Sequence, residues 1–276
     1  MSGLLTLTDV GKTYRQRRRT VTAVESVSLT LRAGEIVCLV GESGSGKTTV
    51  GRIVTGLVEP TAGELRHSGR ATSEMGRAEL RAHRLGVQMI HQDPYASLNP
   101  GLTVEQTLAA PLRRHFRLSR DDARGRVTGL LGDVGLTPPE LFAPKYPHEL
   151  SGGQRQRVVI ARALTVEPRV LVADEAVSML DVSLRVSVLQ KLRGLCEERQ
   201  LAVLFITHDL AVARQFGRGH SIAVMQRGCI VEHRPTAELI AAPEHPYTRA
   251  LLQAARHEGL RAIQSSRHVH VEENHT

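Results

Sequence analysis

The segment Gly41-Glu42-Ser43-Gly44-Ser45-Gly46-Lys47-Thr48 constrains this chain more than any other feature. It fits the pattern G-x-x-x-x-G-K-[ST], and its flanks fit the same reading. Before it, Ile36 to Val40 is continuously apolar, as a strand covered on both faces must be. After it, Thr49 leads into Val50, Ile53, Val54 and Leu57, which recur at the spacing of one helix face. Strand, glycine turn and helix in that order predict an α/β fold. The glycines let backbone N–H groups turn inward toward an anion, and the helix start adds the positive end of its dipole. The anion such a loop suits is a polyphosphate. Lys47 would reach the β- and γ-phosphates, and the Thr48 hydroxyl would face Mg²⁺.

Composition narrows the alternatives. Lys+Arg outnumber Asp+Glu by 36 to 28, a formal charge of +8 over 276 residues. Such an excess suits nucleic acid, an anionic surface or an anionic ligand. Only Lys12, Lys47, Lys145 and Lys191 are lysines, so Lys47 is one of very few. Aromatic residues make up 3% and tryptophan is absent, which argues against a base-stacking platform. No nucleic-acid partner is expected. Cys38, Cys196 and Cys229 are far apart and form no C-x-x-C, which excludes a disulfide scaffold or zinc ribbon. No apolar run approaches the ~20 residues of a membrane span. Met1 to Asp9 carries no secretory pattern, and a reducing cytosol is the expected compartment.

A polyphosphate site also needs a carboxylate near its metal. Val170 to Ala173 is a second apolar strand, and it delivers Asp174 and Glu175 where ligands of α/β sheets collect. Asp174 suits Mg²⁺, and Glu175 suits polarising an attacking water. An isolated pair of this kind reads as a salt-bridged strand end. Beside a phosphate loop, the catalytic reading is the better one.

Leu4 to Leu7 and Val27 to Leu31 alternate like half-buried antiparallel strands. Thr103 to about Gly135 is helical, with a capping pair at Ser119 and Asp122, and a proline-rich stretch from Thr137 to Pro147 closes it. Strand-type runs return at Val203 to Ile206 and Ile222 to Met225. Arg15, Arg17, Arg18 and Arg19 read as an arginine-rich loop.

Leu150-Ser151-Gly152-Gly153-Gln154 completes the pattern. With it the chain resembles the ATPase subunits of ATP-binding cassette (ABC) transporters, whose signature is LSGGQ. The resemblance runs from about Leu4 to Leu252. It implies a P-loop NTPase with a mostly parallel core sheet, an N-terminal antiparallel β subdomain and an inserted helical subdomain. It further implies that Tyr14 stacks on adenine and that Gln92 senses Mg²⁺ and meets the membrane subunit. Asp181, in Ser178-Met179-Leu180-Asp181, would cross the dimer interface, and His208 would bind the γ-phosphate. Ser151 to Gln154 would cap the ATP held by Gly41 to Thr49 of a second cassette, head to tail. The implied division is one cassette over 1–253, with a nucleotide-binding core in 1–92 and 157–230 and a helical subdomain in 93–156. An extension over 231–266 and a frayed tail over 267–276 follow.

Gln92 to Pro100, Asp174 to Ser178 and His245-Pro246-Tyr247-Thr248-Arg249-Ala250-Leu251-Leu252 resemble the peptide/nickel importer branch. That branch implies two transmembrane permease subunits, a same or sister ATPase subunit and an extracytoplasmic solute-binding protein. It places the chain at the cytoplasmic face of the membrane, importing a peptide, nickel or a related solute. His91 replaces the usual Phe and Met179 the usual Ala. A soluble cassette acting on ribosomes or nucleic acid is the alternative, although 276 residues leave no room for a second cassette. His268, His270 and His275 lack the framework of a metal site, and a solvated tail is the simpler reading.

Overall fold

The computed structural model describes residues 3–16, 19–178 and 180–255. Arg17, Arg18, Met179 and the histidines of the tail lie outside the described residues. The chain begins with a long hairpin, β1 (Leu5–Gln16) and β2 (Arg19–Leu31), followed by β3 (Ile36–Val40) and α1 (Lys47–Val54). Then come β4 (Ala62–His67), β5 (Arg70–Ala71), α2 (Arg77–Gly86) and β6 (Val87–Ile90). Helices α3 (Pro94–Ser97), α4 (Val104–Phe116), α5 (Arg120–Asp133) and α6 (Gly152–Leu164) form the middle of the chain. The second half is β7 (Val170–Asp174), α7 (Val182–Arg199), β8 (Ala202–Thr207), α8 (Leu210–Phe216), β9 (Ser221–Gln226), β10 (Cys229–Pro235) and α9 (Thr236–Ala241). A helical run over 246–255 ends the described chain.

The strands form one sheet in the order β5-β4-β1-β2-β10-β9-β3-β8-β7-β6. From β9 to β6 all neighbours are parallel, whereas β4, β1 and β2 pair antiparallel. Every residue of β3, β7 and β8 is buried, which explains why these strands read as unbroken apolar runs. Two cores flank the sheet. The smaller joins β1, β2 and β4 to α1 and includes Val50, Ile53 and Val54. The larger packs α4 to α8 on the other face and includes Leu108, Val127, Val159, Leu189 and Phe216.

The capping pair expected at Ser119 forms, and the structure adds a second cap at Thr103. The Ser119 hydroxyl accepts the Asp122 N–H at 3.1 Å, and Thr103 forms a reciprocal box with Gln106. Of the arginines expected in a loop, Arg15 and Arg19 are strand residues. Arg15 pairs with Thr20 and Gln16 with Arg19, so strand pairing continues through these residues. Two expected boundaries also fall inside elements: 156/157 within α6, and 230/231 within β10, which pairs with β9 along its length.

Register sets the position of the site. Val40 lies opposite Thr207, and Ile206 lies opposite Asp174. The carboxyl ends of β3, β7 and β8 are therefore level, and the segments leaving them share one edge of the sheet.

Candidate nucleotide site

Between Val40 and Lys47, six residues must turn the chain from strand to helix. Gly46 is the N-cap of α1, with φ at 107°. A Cβ added there would lie 2.3 Å from the Ala23 carbonyl oxygen, and one at Gly41 would lie 2.1 Å from that of Met225. Backbone from β2 and β9 presses on the loop from both sides, so neither position admits a side chain. Lys47 Nζ donates to the carbonyl oxygens of Gly41 and Glu42, both at 2.7 Å, and to Ser45 Oγ at 3.4 Å. Only 5% of Lys47 is exposed. Burial lowers its pKa, against the opposing charges of Glu175, Asp174 and Glu42. A buried ammonium whose direct partners are neutral oxygens is under-compensated and fits an incoming polyphosphate.

Thr48 begins the second half of the site. Its hydroxyl donates to Asp174 Oδ1 at 3.2 Å across the gap between α1 and β7. Asp174 is 6% exposed. Burial, with the charge of Glu175 behind it, raises its pKa, although the Thr48 hydroxyl, His91 and Arg52 pull the other way. A buried carboxylate beside a hydroxyl is a hard oxygen pair, and Mg²⁺ suits it. Among the described residues, no three or more His, Cys, Asp or Glu side chains gather as a metal cage.

Glu175 follows at once, in a strained backbone with φ at 48°. Its own N–H donates to the Ile206 carbonyl at 2.9 Å, which pins it against β8. Its carboxylate is held on both oxygens: Gln92 Nε2 donates to Oε2 at 2.9 Å, and His208 Nδ1 lies 3.0 Å from Oε1. With the proton on Nδ1, His208 donates to Glu175 and leaves Nε2 free. Gln92 comes from the segment after β6 and His208 from the end of β8. The shared edge thus gathers Gln92, Asp174, Glu175 and His208 next to Thr48 and Lys47.

The remaining predicted residues lie elsewhere. Ser151 caps α6, its hydroxyl accepting the Gln154 N–H at 3.3 Å while Gln154 Oε1 accepts the Ser151 N–H at 3.0 Å. Gly152 and Gly153 form the first turn of α6. No hydrogen bond among the described residues joins this turn to the phosphate loop. Asp181 caps α7, accepting from the Leu184 N–H at 2.9 Å and the Ser183 hydroxyl at 2.8 Å. The Leu184 N–H lowers its pKa most, followed by Ser183. Tyr14 sits on β1 opposite Val21, with Lys12 Nζ 5.4 Å from its ring centre. The sequence marks Tyr247 only through its motif, yet its hydroxyl touches the loop. The Glu42 N–H donates to it at 3.1 Å.

Fold and site together define a P-loop NTPase. The ABC transporter family model matches residues 24–178, more than half of the chain, and the chain belongs to that family. It is 48% identical over 235 residues to the probable peptide ABC transporter ATP-binding protein y4tS of Sinorhizobium fredii, covering 85% of this chain and 65% of that protein. It is also 48% identical over 236 residues to the glutathione import ATP-binding protein GsiA of Escherichia coli K12, covering 86% and 37%. The chain thus spans less than two thirds of the length of these relatives. Among solved structures, the ATP-binding cassette MJ0796, a dimer in a post-hydrolysis state bound to ADP and Pi, superposes with a TM-score of 0.75 at 34% identity. That match covers 84% of this chain and 98% of the other. CbiO1 of Clostridium perfringens shares the fold at 24% identity and a TM-score of 0.77, over 88% and 92% of the two chains.

Proposed function

We propose that this chain is the ATP-hydrolysing subunit of an ABC importer for a peptide or a related small solute. The observation that carries the reading is the Glu175 carboxylate clamped between Gln92 and His208, beside the Lys47, Thr48 and Asp174 cluster. Loop N–H groups and Lys47 bind the polyphosphate of ATP. Thr48, Asp174 and Gln92 would hold Mg²⁺, and the ion would supply neutralisation of phosphate charge when bound. Glu175 polarises a water molecule for attack, and the two bonds on its carboxylate fix the direction in which it accepts a proton. His208 orients Glu175 and offers Nε2 to the terminal phosphate. Tyr14 is the proposed adenine platform.

Ser151 to Gln154 belong to a second site in this account. Their bonds close on one another and leave the start of α6 free to cap the ATP of a partner cassette, head to tail, with Asp181 at the same interface. The names of the two curated relatives support peptide-type import. Two permeases, a same or sister cassette and an extracytoplasmic binding protein would complete the assembly. The chain would sit on the cytoplasmic face of the membrane. No helix among the described residues is long and apolar enough to cross it. The test is the assembly state of Glu175→Gln. With ATP it should elute as a dimer that wild-type protein forms only transiently, and a variant that stays monomeric at saturating ATP overturns the head-to-tail site.

A further inference from the structure

The bond from the Glu42 N–H to the Tyr247 hydroxyl joins the phosphate loop to a residue 205 positions later. That N–H shares a peptide unit with the Gly41 carbonyl, which accepts Lys47 Nζ at 2.7 Å. One planar unit is therefore held at both ends. Because the plane rotates as a whole, fixing the N–H also fixes where the carbonyl points. Tyr247 is itself anchored. Glu232 on β10, 7% exposed, accepts the N–H groups of Glu244 and His245 at 3.0 Å each. His245 Nδ1 then accepts the Tyr247 N–H at 3.2 Å, and the tyrosine packs on the larger core with Leu251. Arg249 closes the turn on the Pro243 and Glu244 carbonyls at 3.2 and 2.8 Å.

We propose that Tyr247 is a positioning residue of the nucleotide site, holding the Gly41–Glu42 peptide so that the Gly41 carbonyl and the Lys47 ammonium keep their places. The segment after α9 thereby sets the resting geometry of a loop formed more than 200 residues earlier. The inference rests on the nucleotide reading given above. It assigns Tyr247 no contact with the nucleotide.

Tyr247→Phe removes one hydroxyl and keeps the ring that packs on the core. The expected result is a Tm within ~4 °C of wild type, roughly threefold to tenfold weaker ATP binding by calorimetry, and faster hydrogen exchange at the Glu42 amide. Glu232→Gln, which loosens the turn, should weaken ATP binding in the same direction and add nothing in the Tyr247→Phe background. ATP affinity equal to wild type together with an unaltered Glu42 amide overturns the proposal. Additive losses in the double variant do so as well. Wild-type protein that binds no ATP overturns the nucleotide reading and this proposal with it, whereas the amide exchange, measured without nucleotide, judges the tie alone.

Discussion

Three glycine-to-alanine substitutions form a series whose order follows from backbone geometry. At Gly46, φ is 107° and the new Cβ would stand 2.3 Å from the Ala23 carbonyl oxygen and 2.8 Å from Met225 Cε. The methionine tip can move, but the β2 backbone cannot. The dihedral alone costs about 1–3 kcal/mol for a residue with a Cβ, and the backbone clash adds to it. At Gly44, φ is 81° and nothing lies within 4 Å, so only the dihedral penalty of about 1–2 kcal/mol applies. Gly129, exposed within α5 with nothing within 4 Å, should gain about 1 kcal/mol as alanine. At about 2–4 °C per kcal/mol for a domain of this size, Tm should rise by ~3 °C for Gly129→Ala and fall by ~4 °C for Gly44→Ala. It should fall by ~8 °C or more for Gly46→Ala. Differential scanning calorimetry reads all three. Equal Tm for Gly44→Ala and Gly46→Ala would refute the claim that β2 backbone forms the wall of the loop.

Two titrations follow from buried groups. Asp174 has a pKa raised above its ordinary value, so its protonated form competes with a cation. The thermal stabilisation given by Mg²⁺ with nucleotide should decline as pH falls through that raised value, and Asp174→Asn should abolish the Mg²⁺ component at every pH. Without a cation the sign reverses, and Asp174 weakens the fold as pH rises. His83, 2% exposed and 2.9 Å from His67 through their Nδ1 atoms, has its pKa lowered to about 4 by burial, then by His67. The unfolded chain takes up that proton near pH 6.5 while the folded chain does not. Stability should therefore fall by about 2 kcal/mol between pH 7 and pH 5, and His83→Phe should flatten this slope in urea titrations.

The legible parts of the fold were those with a single dominant signal. β3, β7, β8 and β9 are apolar throughout or nearly so because both faces are covered, and continuous burial leaves a continuous pattern. From Ala62 to Ile90 the signal disappears. β4 buries only Leu65, and the one buried residue of α2 is His83, so neither offers an apolar run to read. β10 carries Glu232, His233 and Arg234 because its neighbours, rather than its own apolarity, hold it in place. The site behaves similarly. Gln92, Glu175 and His208 were each visible by motif, but they stand 83 and 33 residues apart, and only strand register brings them into contact. Tyr247 was harder still. Its motif was visible, but its contact with Glu42 depends on how the last described helix turns back over the loop.

The central claim is that Glu175 serves hydrolysis whereas Lys47 serves binding, and the release of inorganic phosphate from Mg·ATP tests it most directly. Wild-type chain, Glu175→Gln and Lys47→Ala should be compared for phosphate release and ATP affinity in one buffer. Loss of a general base predicts a fall of about a hundredfold or more in turnover for Glu175→Gln with ATP affinity retained. Lys47→Ala should bind ATP far more weakly. Undiminished phosphate release by Glu175→Gln, or intact ATP affinity in Lys47→Ala, would contradict the account.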